Sequence, residues 1–213
     1  MRVSEILKKC LRNKNFILGS CMVGLMVLIM VVGFFYMPYD PDVMDTEHEL
    51  QFFSAAHPLG TDQFGRDILS RIMEGTRVSF LVGALTVVFG LLVGGAVGAV
   101  AGYYGGKIDE VIMKLIDTQM AFPGVLLALM LIAVFGNSLQ NLIFALGIMS
   151  IPRFARITRS GFIKYRDAEF IKAARSRGAG DGRIIFLHIL PNIVPELIVT
   201  SSLGFAGAVM SEA

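Results

Sequence analysis

Cysteine, histidine and charge are all scarce in this chain, and each scarcity excludes something. Its 213 residues include two cysteines, Cys10 and Cys21, placed before and inside the first apolar run, where neither has a disulfide partner. Both are expected to be inert, with Cys21 a small packing residue. The three histidines, His48, His57 and His188, are scattered along the chain, and neither a zinc spacing nor a Ser/His/Asp arrangement can be built from them. His48 between Glu47 and Glu49 does not make a metal site, because sequence neighbours do not converge on one helix face. The P-loop pattern G-x-x-x-x-G-K-[ST] is missing. Gly178, Gly180 and Gly182 do not complete the dinucleotide fingerprint, since Arg183 follows and no βαβ unit surrounds them. No catalytic residue, metal ligand or cofactor is therefore assigned to this chain, and no nucleic-acid partner is expected. Charged residues make up 17% of the sequence against 54% hydrophobic, and mean hydropathy is +0.67. That balance excludes an ordinary soluble domain and points to an integral membrane protein.

The expected fold is all-α and polytopic, with about five membrane-spanning helices. Residues 1–14 carry Arg2, Lys8, Lys9, Arg12 and Lys14 against Glu5, and an uncharged run follows from Asn15 to Tyr39. Crossing the hydrocarbon core takes about 20 residues, so this run serves as an uncleaved first span. The positive-inside rule puts its amino end in the cytoplasm. From Asp40 to Arg77 acids dominate, as suits an outer loop. At its end Ile68, Leu69, Ile72 and Met73, with Phe64 before them, recur at helical spacing opposite Arg66, Asp67, Arg71 and Glu74. The spacing predicts a short amphipathic helix lying at the membrane interface. Residues 1–77 are thus grouped apart from 78–213.

A second span, Val78 to Gly106, has glycine at every fourth position: Gly90, Gly94, Gly98, Gly102 and Gly106. Residues four apart stack on one helix face, so another helix, in this chain or a partner, can approach almost to backbone contact. A third span begins near Val111. Within it Asp117 is a candidate for the translocation path or, more plainly, an ion-pair partner of Lys114. Pro123, after Phe122, should kink this span and free carbonyls toward a water-filled path. Residues 136–141 form the next outer turn, and a fourth span runs from about Leu142 to Ile157.

The most basic stretch is Arg153 to Pro191. Nine of the nineteen Lys and Arg residues lie between Arg153 and Arg183, facing only Asp167, Glu169 and Asp181. Counting crossings returns this stretch to the inner side, in agreement with its charge. Asp167 to Arg177 reads as a helix capped by Asp167 and ended by Gly178. A second short helix, Gly182 to Ile189, is expected to stop at Pro191. Between them Ala173, Ala174 and Gly178 leave little side-chain bulk, which makes a knob able to enter a groove on another protein. Asn192 to Ala213 begins a fifth span, with Pro195 and Glu196 predicting a broken start.

Two motifs add a resemblance. K-A-A-x-x-x-G from Lys172 to Gly178, with H-I-L-P nine residues later, resembles the coupling-loop signature of ABC importer permeases, the EAA loop. Lys172 stands where that pattern has Glu, and His188 where it has an aliphatic residue. Separately, LGTDQFGRD at Leu59 to Asp67 resembles the outer-loop signature of the dipeptide/oligopeptide/nickel branch, in its C-type permease.

The resemblance implies a bacterial or archaeal cell-membrane permease with six spans in the family, so that this chain looks truncated before the sixth. It implies a coupling loop over about residues 160–191, with Lys172, Ala173, Ala174, Gly178, Ala179, Gly182 and Pro191 facing an ATPase. It also marks Gly60, Thr61, Asp62, Gly65, Arg66 and Asp67 as an outer-loop motif. Implied partners are a second permease, two ABC ATPase subunits that carry ATP and Mg, an extracytoplasmic solute-binding protein and membrane lipid. Peptide is the expected cargo, with nickel or a metal chelate as the alternative. A channel, a scaffold or an exporter half is the competing class.

Overall fold

The computed structural model describes residues 12–212; the basic residues before Arg12, Cys10 and the terminal Ala213 lie outside the described residues. The chain divides into two compact units, Met1–Phe80 and Leu81–Ala213.

In the first unit, α1 spans Lys14–Phe35 and opens on Asn13, whose side-chain oxygen accepts from the backbone N–H of Asn15 and Phe16. At 1.5 Å per residue this helix is about 33 Å long, enough to cross a bilayer core. It buries almost none of its apolar surface, as a helix facing lipid should. It ends earlier than the uncharged run, because Tyr36 is extended and Pro38 follows closely. Gly33 sits against Met73, 2.8 Å from where a Cβ would stand, and the Arg77 guanidinium lies over the Phe34 ring.

The α2 helix, Ile68–Tyr104, corrects the sequence reading. The expected interfacial helix is not separate: it forms the opening turns of one 37-residue helix that includes the second span. No proline or polar turn intervenes at Gly75 to Val78, so nothing stops the helix there. Phe64 lies in the preceding loop. Asp67 sets the start instead, with Oδ2 accepting from Ser70 N (2.8 Å) and Ser70 Oγ (2.7 Å).

In the second unit, α3 (Gly106–Ala121) and α4 (Gly124–Phe135) are separated at Phe122 and Pro123 and bent by 89°. Pro123 does more than kink a span: it forces Phe122 into extended backbone and divides the helix. Long α5, Leu139–Arg166, starts on a Ser138 cap and runs through Pro152 into the basic stretch. Next come α6, Glu169–Ser176, and α7, Asp181–Glu212.

The glycine stripe of α2 packs within the chain. A Cβ at Gly94 would lie 2.5 Å from the Ile151 carbonyl oxygen, one at Gly98 would overlap Ala155 backbone, and one at Gly102 would come 2.7 Å from the Arg159 carbonyl oxygen. Gly90 faces Ser150 in the same way, whereas Gly106 opens α3 and touches nothing. Thus α2 and α5 meet at near-backbone contact.

By length and composition α1, α2 and α7 can each cross a membrane, and α3 with α4 makes a fourth candidate if the bent pair is one span. The fourth span of the sequence reading lies within α5, a 28-residue helix whose second half holds Arg153, Arg156, Arg159, Lys164 and Arg166.

Candidate functional site

Three expectations about the basic stretch change once the helices are placed. Asp167 does not cap α6: it ends α5, while Ala168 is the residue before α6 and makes no side-chain cap. Tyr165 O accepts from Ala168 N in the tight turn between the two helices, and the Asp167 carboxylate accepts from Arg166 Nε at 3.2 Å instead. Pro191 does not stop a second short helix. The chain is π-helical from Ile184 to Ile189, with Leu190 N–H donating to Ile185 O, and continues through both Pro191 and Pro195. A proline removes one N–H and crowds the carbonyl four residues back; the wider π turn relieves that crowding. The start of α7 is therefore unbroken.

The elbow between α6 and α7 has an inner and an outer side. Ile171 is fully buried and packs with Phe162, Ile184, Ile189 and Ile193, and Ala174 is 5% exposed. Ala174 consequently shapes the elbow from within and is not presented to a partner. Lys172, Ala173, Gly178, Gly182 and Pro191 are exposed, with Ala179 half-buried. Gly178 has φ +84°, a conformation that favours glycine, and its N–H bonds to Arg175 O. Among the described residues no atom lies within 4 Å of a Cβ built at Gly178, Gly180 or Gly182, which leaves the outer side open. Lys172 pairs with Glu169 at 2.9 Å, and that hydrogen bond raises the ammonium pKa.

Two further side chains define the elbow, and sequence reasoning missed both of their roles. Tyr103, near the end of α2, is hydrogen-bonded to Asp181 and Arg175. Arg166, at the end of α5, donates to Gly102 O at 3.2 Å. Partners more than sixty residues apart leave no local signal in a single sequence.

On the neighbouring face, Asp117 pairs with Arg156 of α5 at 2.6 Å, and not with Lys114. Lys114 takes Glu110, one turn earlier, at 2.7 Å, the favoured order of charges along a helix. Asp109 and Arg159 form a bidentate pair between α3 and α5. Phe122 lines a cavity of about 290 Å³ with Gln119, Met149, Pro152 and Arg156. Pro123 shapes it by breaking the helix, and Asp117 reaches its rim through Arg156.

The outer-loop motif is a separate construction, in the first unit. Asp62 accepts from Phe64 N (2.8 Å), Arg66 N (3.0 Å) and Arg66 Nε (2.9 Å), and from Arg71. Partial burial works to raise its pKa, but these hydrogen bonds prevail and hold it at about 2. Thr61 and Asp67 are bridged, and Ile68 N donates to Gly60 O. Asp67 also meets His57 Nδ1 at 3.0 Å, with Tyr39 stacked on the imidazole. Desolvation pushes the Asp67 pKa up, and the bonds from Ser70 and His57 bring it below the usual value. Gly65 has φ +73°, and a Cβ there would overlap the Asp45 carbonyl.

Residues 94–213, which hold the glycine contact, the ion pairs and the elbow, match the family described as binding-protein-dependent transport system inner membrane component. The chain belongs to that family. It is a permease subunit of a binding-protein-dependent transport system and a multi-pass protein of the bacterial inner membrane. The permease is 41% identical over 209 residues to a dipeptide transport system permease protein of Alkalihalophilus pseudofirmus, covering 98% of this chain and 69% of that one. It is 37% identical over 210 residues to a glutathione transport system permease protein of Pectobacterium atrosepticum, covering 98% and 70%. With a di/tripeptide transport system permease protein of Pseudomonas aeruginosa it shares 33% identity over 217 residues, covering 99% and 72%.

Proposed function

We propose that this permease forms half of the translocation path of an ATP-driven peptide importer and receives its driving force at the elbow around Gly178. The observation that carries this reading is the two-sidedness of the elbow. Its inner side is anchored by Ile171, Ala174 and Ile184, while Ala173 and Gly178 present an open surface almost without side chains. Such a knob fits a groove on a separate ATPase subunit, and its exposed Lys172, Arg175 and Arg177 suit an acidic rim. ATP and Mg reside on two ATPase subunits. A second permease completes the path, and an extracytoplasmic solute-binding protein delivers the cargo. The amino end and the elbow face the cytoplasm, and the Asp62 loop faces outward.

Peptide is the cargo because the relatives described above are named for dipeptides, di- and tripeptides and glutathione, itself a tripeptide. The metal-chelate alternative has no such support. When the ATPase pair closes, the elbow moves as a rigid lever, and the spans exchange inward for outward opening. Residues along the α3–α5 face, Asp117, Phe122 and Pro123 among them, line or shape the path.

Gly178→Trp tests the reading. It puts bulk on the open surface and a side chain at a positive φ, and should leave membrane insertion intact while ATP hydrolysis no longer drives peptide uptake. Normal uptake by this variant would refute the docking role.

A further inference from the structure

Movement at Gly178 must reach the helices that cross the membrane, and Tyr103 is placed to carry it. Near the end of α2, Tyr103 is 8% exposed, its ring packed in the cluster of Phe162, Ile171, Ile184 and Ile189. Its hydroxyl lies between two charges on opposite sides of the elbow. It donates to Asp181 Oδ1 at 2.6 Å and accepts from Arg175 Nη2 at 3.2 Å. Arg175 belongs to the last turn of α6, and Asp181 is the first residue of α7. Everything between them is the elbow itself.

A phenol has one proton to give and lone pairs to accept, so a single side chain can hold an acid and a guanidinium together while its ring stays in an apolar core. The carboxylate at Asp181 also sits well at the amino end of α7. A second tie, Arg166 to Gly102 O, fixes the same end of α2 to α5. Further along, Gly94, Gly98 and Gly102 hold α2 against α5 with no side chain between the backbones. A displacement of Tyr103 is therefore passed on to both helices, since close-packed backbone has no slack to absorb it.

We infer that Tyr103, bridging Arg175 and Asp181, is the positioning residue through which elbow movement is transmitted to α2 and α5. This inference rests on the elbow being the ATPase docking surface. Both charged partners are exposed, so removing the hydroxyl leaves them hydrated, and the core keeps its ring.

The test uses the complete importer, with both permeases, both ATPases and the binding protein, in vesicles. Uptake of a labelled di- and tripeptide mixture that the wild-type complex imports is measured together with ATP hydrolysis. Tyr103→Phe should assemble and hydrolyse ATP, with peptide imported per ATP falling about tenfold, the change expected for one lost hydrogen bond of ordinary strength. Asp181→Ala should fall likewise, whereas Asp181→Asn, whose amide oxygen still accepts from the phenol, should retain most of the coupling. A merely structural role would not separate the last two variants. Wild-type coupling in Tyr103→Phe overturns the inference. If that variant fails to assemble, wild-type coupling in Asp181→Ala overturns it instead. Gly178→Trp, run in parallel, separates the two levels. Uncoupling there with normal coupling in Tyr103→Phe removes only the tie, and normal coupling in both removes the docking reading with it.

Discussion

The Asp62 loop and the Gly178 elbow are both glycine-containing polar connectors leading into a long helix, yet they are built on opposite plans. The loop is closed on itself. Asp62 gathers two backbone N–H groups and two guanidinium groups, and Gly65 is pressed against the Asp45 carbonyl. The elbow is held from beneath, by Tyr103 and a small apolar cluster, and among the described residues nothing comes within 4 Å of a Cβ built at its glycines. A connector that satisfies its own polar groups keeps a fixed shape without help. One that leaves a smooth surface open is shaped for something else to complete it.

That contrast is broken most sharply by adding a single methyl to each connector. Gly65→Ala should destabilise the loop by about 3 kcal/mol, combining the cost of a left-handed backbone for a residue with a Cβ and an overlap with backbone that cannot swing away. Limited proteolysis of residues 40–66 measures it. Gly180→Ala, at φ −72° with open space around it, should change stability by less than about 0.5 kcal/mol. Equal effects at the two positions would erase the distinction.

Asp62→Ala comes next, at about 2 kcal/mol, because it strands donors that the carboxylate now satisfies. Acid should act in the same direction. The folded-state pKa of Asp62 is about 2 against an ordinary 3.8, so its contribution is fully present above about pH 4 and is lost as pH falls toward 2. Protease resistance of the loop should therefore be flat from neutrality down to about pH 4 and decline below it. A decline centred near neutrality would assign the loop's stability to another group.

The all-α architecture was legible because long uncharged runs admit few other structures, and the end of α6 at Gly178 was legible because its chemistry is local. What escaped was whatever depends on a neighbour. Pro191 reads as a stop in isolation, but a π turn lets the helix continue. Asp117 has Lys114 nearby in sequence, yet α5 brings Arg156 to it and Glu110 takes the lysine. Ala173 and Ala174 are indistinguishable as letters, and only the folded helix leaves one exposed and buries the other. The glycine stripe gave the closeness of a helix contact without its partner, which proves to be α5.

That difference between two adjacent alanines also supplies the most direct measurement of the docking claim. In a complex whose permease has Cys10 and Cys21 replaced, a short bifunctional reagent should link Ala173→Cys to an ATPase subunit and leave Ala174→Cys unlinked. An actively transporting complex in which Ala173→Cys forms no ATPase adduct would contradict the account.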